Sequence, residues 1–413
     1  MQNPVPFAPI LLTPQTPSMV LKQLPAIARS ALNIAIGIEY GSLDVTMPDQ
    51  RRFRVEGTLP GPHANLAIHE YSAIRRLLKS SDIGFAEAYL DDEWSSSNIT
   101  DLLEFFVLNG DSVYKKINGS PFARAWLRLL HWLNRNTHSG SKRNISAHYD
   151  LGNSFYEKWL DPSMTYSSAY FGDGANNLSA AQTSKYRKLA QDIGLTESES
   201  VLEIGCGWGG FAEFAAREIG CPVTGLTISR EQYDYARKRV HEAGLSDKVT
   251  IKFQDYRDET GRYDRIASIE MFEAVGEKYW STFFERMSAC LKPGGKAGLQ
   301  IIAIQERMFK NYRSNTDFIQ RYIFPGGMLP TPSIMKSLGE SAGMPMTAET
   351  KFGKDYARTL SEWRTSFDEN WDNIKPLGFD ERFKKLWQYY MHYCEAGFLS
   401  GNIDVRQMVF TKP

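Results

Sequence analysis

The chain has 413 residues, and its 48 basic residues balance its 48 acidic ones. This length predicts two or three domains with sizeable cores, and the zero net charge argues against a nucleic-acid-binding protein. No apolar run approaches the roughly 18 residues of a membrane span. The four cysteines are scattered and no zinc spacing is present, so we expect a reduced, cytoplasmic protein without a metal.

Residues 1–110 predict a small α+β domain in which we find no catalytic pattern. The segment 19–35 has a helical pattern, and the segments 42–49 and 51–59 alternate with the period of strands around a turn. Two more helical patterns begin near residues 71 and 99. We therefore expect a domain that supports a site located elsewhere in the chain.

Residues 111–147 predict a basic amphipathic linker helix. Residues 112–149 contain seven lysines or arginines and no acid. Ser120 suits the N-cap and Pro121 the first helical position. Arginines on one face and Trp126 with leucines on another are typical of a helix lying in a membrane interface. A connecting helix packed on a core, with its arginines in water, fits the same pattern.

From about residue 195 strands and helices alternate, which predicts a doubly wound α/β sheet with ligands at the carboxyl ends of its strands. The first strand leads into the sequence GCGWGG, which also fits the dinucleotide fingerprint. A dinucleotide site needs an acid about 20 residues further on, and Gly225–Ser229 contains none. Acids such as Glu203 and Asp255 instead suit a sulfonium nucleoside, so the pattern favours S-adenosylmethionine (SAM).

Several motifs, in order, resemble the cyclopropane-fatty-acyl-phospholipid synthases and the related mycolic acid cyclopropane synthases. They include HYDLGN, LDPSMTYS, LEIGCGWGG, GLTISREQ, QDYRDE, MFEAVG and RYIFPGGMLP. The resemblance implies a class I methyltransferase domain over 148–413 and an N-terminal lipid-binding domain. It also implies a homodimer at the cytoplasmic membrane surface that adds one carbon from SAM to a cis double bond of a phospholipid acyl chain.

The resemblance also carries over residue by residue to the cofactor site. One pair matches contacts with the amino-acid part of SAM, a glycine set matches the cofactor loop, and two pairs match contacts with ribose and adenine. These are, in that order, Tyr166 and Ser167; Gly205, Gly207 and Gly209; Thr227 and Gln232; Asp255 and Tyr256.

In the family, a bound bicarbonate acts as the base. Glu273 and Tyr356 match two of its ligands, and Ile302 matches a backbone contact. Ser168 stands where a cysteine is expected and Gln300 where a histidine is expected, while Ala274 replaces another frequent histidine. Both replacements still donate hydrogen bonds, so bicarbonate is compatible with the site but in doubt.

Glu270 stands where the family often has glycine. On a helical turn it would share a face with Glu273, and it would replace bicarbonate as base or exclude it by charge. Either role favours a methyl-branched product over a cyclopropane, because the position of the base decides which proton leaves. The alternative is a carboxylate that caps a backbone or forms an ion pair.

Two other functions fit the motifs. A small-molecule N- or O-methyltransferase would use the same fold without a membrane helix. A non-catalytic SAM- or lipid-binding protein would explain the replacements at Ser168 and Gln300, but the intact glycine loop, Glu273 and Tyr356 argue against it. No GxSxG motif is present, which leaves a serine hydrolase unsupported.

Overall fold

The computed structural model describes residues 8–16, 18–119 and 151–413. They form two compact units. The first contains the chain up to residue 119 together with Asp380–Ser400, and the second contains residues 151–379 together with Gly401–Pro413. The amphipathic helix predicted over 120–136 lies outside the described residues. Among the helices that are described, none is both long and apolar enough to cross a bilayer.

The first unit has a five-stranded sheet in the order β1-β3-β2-β4-β5. Its strands are β1 (Ile10–Leu11), β2 (Tyr40–Thr46), β3 (Arg52–Glu56), β4 (Leu59–Ile68) and β5 (Trp94–Ser95). Its N-terminal helices are α1 (Ala26–Ala35), α2 (Ser72–Leu90) and α3 (Ile99–Gly119).

Two details of this unit differ from the sequence prediction. The helix expected over 19–35 is a 3₁₀ turn, Ser18–Leu21, followed by α1, because Pro25 lacks an N–H and occupies the N-cap of α1. Strand β4 was missed. Its first half, LPGP, contains two prolines and a glycine, and only its second half alternates between buried and less buried residues.

The second unit is a seven-stranded sheet covered by helices. Its strands are β6 (Val201–Ile204), β7 (Val223–Thr227), β8 (Val249–Phe253), β9 (Tyr263–Ile269), β10 (Leu291–Ile304), β11 (Met346–Lys351) and β12 (Ile403–Thr411). The helices before β10 are α4 (Asn153–Tyr156), α5 (Leu178–Asp192), α6 (Gly210–Phe214), α7 (Arg230–Glu242) and α8 (Trp280–Cys290). Those after it are α9 (Glu306–Ser314), α10 (Phe318–Tyr322), α11 (Pro332–Ser341), α12 (Gly353–Glu369) and α13 (Trp371–Ile374).

The strand order is β11-β12-β10-β9-β6-β7-β8. Strands β10, β9, β6, β7 and β8 are parallel, and β12 pairs antiparallel with β10. Two buried hydrophobic clusters pack against this sheet. The sequence KPGG, which is typical of the end of a helix, lies inside β10, where the register with β9 shifts between Leu291 and Lys296. The carboxyl ends of the five parallel strands therefore share one edge.

Helix α14 (Glu381–Leu399) belongs to the first unit although it lies near the C-terminus. The Tyr389 ring packs 6.4 Å from Trp94 and 5.6 Å from Tyr89. Thr100 donates a hydrogen bond to Glu395 at 2.8 Å. The core of the first unit is thus completed by a helix that is distant in sequence, which the predicted boundaries did not include.

Candidate active site

The glycine loop between β6 and α6 has an open face. Gly205, Gly207 and Gly209 have left-handed backbones, with φ of +79°, +52° and +82°. A Cβ at Gly209 would lie 3.1 Å from the Ala236 Cβ on α7, so this glycine allows helices α6 and α7 to pack closely. A Cβ at Gly207 would meet no atom of the described residues within 4 Å. The backbone at Gly207 is therefore accessible to a ligand.

Polar side chains flank this loop at the carboxyl ends of β7 and β8. The Thr227 hydroxyl donates to Gln232 Oε1 at 3.0 Å and accepts from the Ser229 amide. Asp255 accepts from the backbone amide and the side chain of Arg257, and these contacts lower the pKa of its carboxyl. The ring of Tyr256 packs 5.3 Å from Phe283. The predicted ribose and adenine residues thus lie on the β7–β8 side of the loop.

The segment Thr165–Ser168 lies against the glycine loop. A Cβ at Gly210 would lie 3.3 Å from the Thr165 Oγ1. The ring of Tyr156 packs 5.3 Å from Tyr166 and 5.0 Å from Trp208, which is a loop residue. These contacts bring Tyr166 and the serine after it next to the loop, although the two segments are about 40 residues apart in sequence.

Glu203 lies below the loop as a fully buried carboxyl. It accepts a hydrogen bond from the Ala212 amide, and its Oε2 has no partner among the described residues. Burial raises its pKa well above the ordinary range. Glu203 was considered as a group for the sulfonium charge, but its burial favours the neutral form.

Glu270 is the centre of a hydrogen-bond cluster beside Ser168. Its Oε1 accepts from the Ser168 amide and from Gln300 Nε2, both at 2.8 Å. Its Oε2 accepts from the Tyr356 hydroxyl at 2.7 Å. The Glu270 carboxylate is therefore bound by three residues from three other segments of the chain, Ser168, Gln300 and Tyr356.

The backbone of Glu270 explains why glycine suits this position. Its φ is +49°, a left-handed conformation that costs a residue with a Cβ on the order of 1 kcal/mol or more. Glu270 follows β9, whereas Glu273 lies on a 3₁₀ turn, Phe272–Ala274. The expectation that the two acids share a helical turn is therefore wrong. The left-handed backbone at Glu270 breaks any helical run before the turn begins.

The orientation of the Gln300 amide is fixed by backbone carbonyls. Gln407 pairs opposite Gln300 across β12 and β10. Gln407 Nε2 donates to the carbonyl of Lys185 at 3.2 Å and to Gln300 Oε1 at 3.1 Å. Gln300 Nε2 then donates to the Ser168 carbonyl at 3.2 Å as well as to Glu270. Because a carbonyl only accepts, neither amide can be reversed without losing a bond.

Glu273 occupies a neighbouring position with different partners. Its Oε1 accepts from the Ile302 amide, and its buried Oε2 has no partner in the part of the chain that the structure describes. Burial, with a further contribution from the charge of Glu270, raises the pKa of Glu273 to about 8. Burial also raises the pKa of Glu270, but Lys185, Gln300, Tyr356 and the Ser168 amide oppose that effect. Because Glu270 accepts three hydrogen bonds, this geometry favours its carboxylate form, whereas the raised pKa of Glu273 favours its protonated form at neutral pH.

Two polar residues of this cluster were missed by the sequence reasoning. Lys185 is fully buried on α5, and its Nζ donates to the Ser167 hydroxyl at 2.6 Å. Gln407 is 1% exposed within the largely apolar strand β12. The available signal was a lysine in the apolar stripe of α5, between Ala181 and Leu189, and a glutamine inside a buried strand.

The site contains features that fit SAM. The open face at Gly207 gives the cofactor backbone contacts, and Thr227 and Gln232 offer hydroxyl and amide groups to a ribose. SAM bound here supplies an electrophilic methyl group. Within the described residues, no group of three or more histidines, cysteines or acids is placed to hold a metal ion.

Fold and site together define a class I SAM-dependent methyltransferase. The family model described as mycolic acid cyclopropane synthetase matches residues 136–408, and the chain belongs to that family. It is 36% identical to a tuberculostearic acid methyltransferase of Mycobacterium tuberculosis, over 96% of this chain and 97% of that protein. It is 33% identical to the cyclopropane-fatty-acyl-phospholipid synthase of Escherichia coli, over 89% of this chain and 96% of that protein.

Solved structures agree with this assignment. A mycolic acid cyclopropane synthase crystallised with S-adenosylhomocysteine (SAH) and CTAB superimposes with a TM-score of 0.61 and 28% identity, covering 65% of this chain and 97% of that one. The expected fold class, family and SAM cofactor are thereby confirmed. The roles of individual site residues stay predictions.

Proposed function

We propose that this enzyme transfers a methyl group from SAM to a cis double bond of a phospholipid acyl chain, and that the product is methyl-branched. The observation that carries the proposal is the position of the Glu270 carboxylate. It accepts hydrogen bonds from Ser168, Gln300 and Tyr356, the residues that match bicarbonate ligands in the family. Glu270 thus supplies the base that the family takes from solution.

The hydrogen-bond donors around Glu270 support the view that its carboxylate replaces bicarbonate and does not bind beside it. The Ser168 amide and the Tyr356 hydroxyl each have one hydrogen, and both hydrogens bind Glu270. Gln300 Nε2 has two hydrogens, used by Glu270 and by the Ser168 carbonyl. The Ile302 amide is occupied by Glu273. A bicarbonate ion at this position would be repelled by the Glu270 carboxylate and would find no free hydrogen on these four donor groups.

We infer that Oε2 of Glu270 is the atom that accepts the proton. Among the described residues, Glu270 Oε1 accepts two hydrogen bonds and Oε2 accepts one. Oε2 therefore has the free lone pair. Glu273, protonated at neutral pH, adds no second negative charge and leaves Glu270 as the base.

The reaction balances with this base. The alkene π electrons would form a bond to the methyl carbon while its bond to the SAM sulfur breaks, so that SAH leaves and a cation remains on the neighbouring chain carbon. A hydride shift makes the cation tertiary, and Glu270 Oε2 then accepts a proton from a carbon beside it, which leaves a methyl-branched alkene. Loss of a proton from the new methyl without the shift would instead close a cyclopropane. A base fixed on the chain selects between these outcomes by its position.

Aromatic side chains form a wall around the segment that faces Glu270. Trp363 packs 5.3 Å from Tyr166 and 6.0 Å from Tyr356, the residue that binds Glu270. Trp363 is fully buried. Such a wall excludes water, which would convert the cation to an alcohol, and offers π faces to positive charge.

The lipid substrate is supported by the names of the relatives, a tuberculostearic acid methyltransferase and a fatty-acyl-phospholipid synthase. We extend the proposal to peripheral association with the inner membrane surface, to lipid binding by the first unit and to a homodimer, as the resemblance implies. The acyl chain of a phospholipid must leave the bilayer to reach a site at the sheet edge, and this requires contact with the membrane.

Product analysis tests the proposal. The full chain is incubated with SAM and vesicles of cis-monounsaturated phospholipid, in buffer freed of bicarbonate and in buffer supplemented with it. The released fatty acids are analysed by mass spectrometry and NMR. We expect a gain of one CH₂ as a branched alkene, at a rate independent of bicarbonate. The Glu270→Gly variant should lose at least about 100-fold in rate and regain activity with added bicarbonate.

The exposed Glu285→Gln variant on α8 is the matched control and should behave as the wild type. A cyclopropane product from the wild type, or wild-type activity that requires bicarbonate, would refute the role of Glu270. No mass gain on any unsaturated lipid would refute the acyl substrate itself.

A further inference from the structure

Lys185 is a buried cation that the proposed proton transfer does not use. It is 0% exposed, and burial lowers the pKa of its amine to about 7. The carboxylates that influence it are Glu270, Asp161 and Glu203. Within the described parts of the chain, however, no carboxylate forms an ion pair with its Nζ, whose hydrogen-bond partner there is the Ser167 hydroxyl at 2.6 Å. A buried ammonium with unused donors is costly unless an anion lies nearby.

The contact with Lys185 determines which way the Ser167 hydroxyl points. An ammonium can only donate, so the Ser167 oxygen accepts from it and must direct its own hydrogen elsewhere. The Ser167 carbonyl is already held by Gln182 Nε2 at 2.9 Å. In the described chain, no protein acceptor for the Ser167 hydroxyl hydrogen is found, and the segment lies against the glycine loop. The hydroxyl hydrogen of Ser167 is therefore available to a ligand bound at the loop.

The sheet order places this donor and Asp255 on opposite sides of the site. Asp255 follows β8, on one side of the central strand β6, and is already paired with Arg257. Lys185 lies on the other side, where its carbonyl binds Gln407 of β12, and its ammonium is in no ion pair within the described residues. An anionic end of a ligand that spans the loop gains from lying beside this ammonium. In SAM and SAH the anionic group is the carboxylate of the amino-acid part.

We propose that Lys185, acting through the Ser167 hydroxyl, is the positioning residue that selects the cofactor carboxylate. Lys185 supplies the positive charge and orients the hydroxyl, and Ser167 donates to the carboxylate. This inference rests on SAM as cofactor and is independent of the acyl substrate, the product and the role of Glu270.

Equilibrium binding to the full chain tests this proposal without turnover. The probes are SAH and its decarboxylated analogue, which retains the adenosine, the thioether and the amine. We expect Lys185→Met to weaken SAH binding at least tenfold and to change binding of the analogue less than twofold. Ser167→Ala should show the same selectivity, and Lys185→Arg should restore part of the SAH affinity.

Lys188→Met is the matched control, because Lys188 lies on the same helix and pairs with Asp192. It should bind both probes as the wild type does. Equal weakening of both probes in Lys185→Met and Ser167→Ala would show a structural role and overturn the proposal. Unchanged SAH binding would also overturn the proposal, because it would mean that Lys185 acts only on the charge of Glu270. Should Lys185→Met not fold, Ser167→Ala and Lys185→Arg provide the same comparison.

Discussion

Replacement of Glu273 by glutamine should make the protein less sensitive to alkaline pH. Glu273 Oε1 accepts from the Ile302 amide, and its buried Oε2 is the atom that carries the proton. Glutamine reproduces this neutral form, with its amide nitrogen in place of the protonated oxygen. The variant should therefore keep the Ile302 hydrogen bond while removing the ionisation.

The magnitude follows from the pKa of Glu273, which burial raises from 4.5 to about 8. Between these values the folded wild type holds a proton that the unfolded chain releases, so its free energy of unfolding falls as pH rises. The slope is about 1.4 kcal/mol per pH unit and flattens near pH 8. From pH 6 to pH 8 the loss is at most about 2 kcal/mol. Because Glu273 is only partly buried, solvent screening lowers our expectation to about 1 to 2 kcal/mol.

Urea unfolding of full-length wild type and Glu273→Gln at pH 6 and pH 8 measures this effect. The other titrating groups are common to both proteins and cancel in the difference between them. Relative to the wild type, the variant should gain about 1 to 2 kcal/mol at pH 8 compared with pH 6. The exposed control Glu285→Gln should change by less than about 0.5 kcal/mol. An equal difference at both pH values would mean that Glu273 is ionised in the folded protein, which refutes the assignment of the proton.

Three further predictions follow from the geometry. Gly207→Ala should weaken SAH binding at least tenfold, because the added methyl group enters the open face of the loop. Gly244→Ala is the control, since Gly244 also has a left-handed backbone, with φ of +69°, and open space at its Cβ position. It should lower the stability by a similar amount, about 1 kcal/mol, without changing SAH binding. SAH binding at pH 8 should be coupled to proton uptake, because the SAH carboxylate raises the pKa of Lys185 from its value of about 7 in the free protein. The binding enthalpies measured by calorimetry in Tris and in phosphate should therefore differ for the wild type and agree for Lys185→Met. A chain lacking residues 1–119 should aggregate on gel filtration, because α14 would lose its packing partners; a monodisperse truncated protein would contradict the assignment of α14 to the first unit.

The glycine loop and its strands were predictable because their signals are local. A buried run such as Val201–Ile204, followed by glycines, specifies a strand and a tight turn with little help from distant residues. The helix expected over 19–35 is wrong for an equally local reason, because Pro25 is a helix boundary and α1 begins directly after it. Strand β4 was not predicted, because its pairing with β2, and not an alternating pattern of its own, makes it a strand.

The hydrogen-bond cluster around Glu270 was predictable only as a set of matched positions. The resemblance named Ser168, Gln300 and Tyr356, and the chemistry of a carboxylate suggested Glu270. Their mutual hydrogen bonds depend on where β9, β10, α12 and the segment before α5 meet. No spacing in the sequence encodes that meeting point, because each segment is placed by packing against the sheet.

The sequence by itself determined the family, the cofactor loop and the alternating strands and helices around that loop, because these depend on short contiguous patterns. Tertiary structure decided what those patterns could not. It placed the Glu270 carboxylate on the donors that match bicarbonate ligands, on a left-handed backbone that breaks the expected helical turn. It also buried Lys185 behind Ser167 and fixed the Gln300 amide through Gln407. Hydrogen-bond donors and buried charges are satisfied by partners close in space, and only folding brings those partners together.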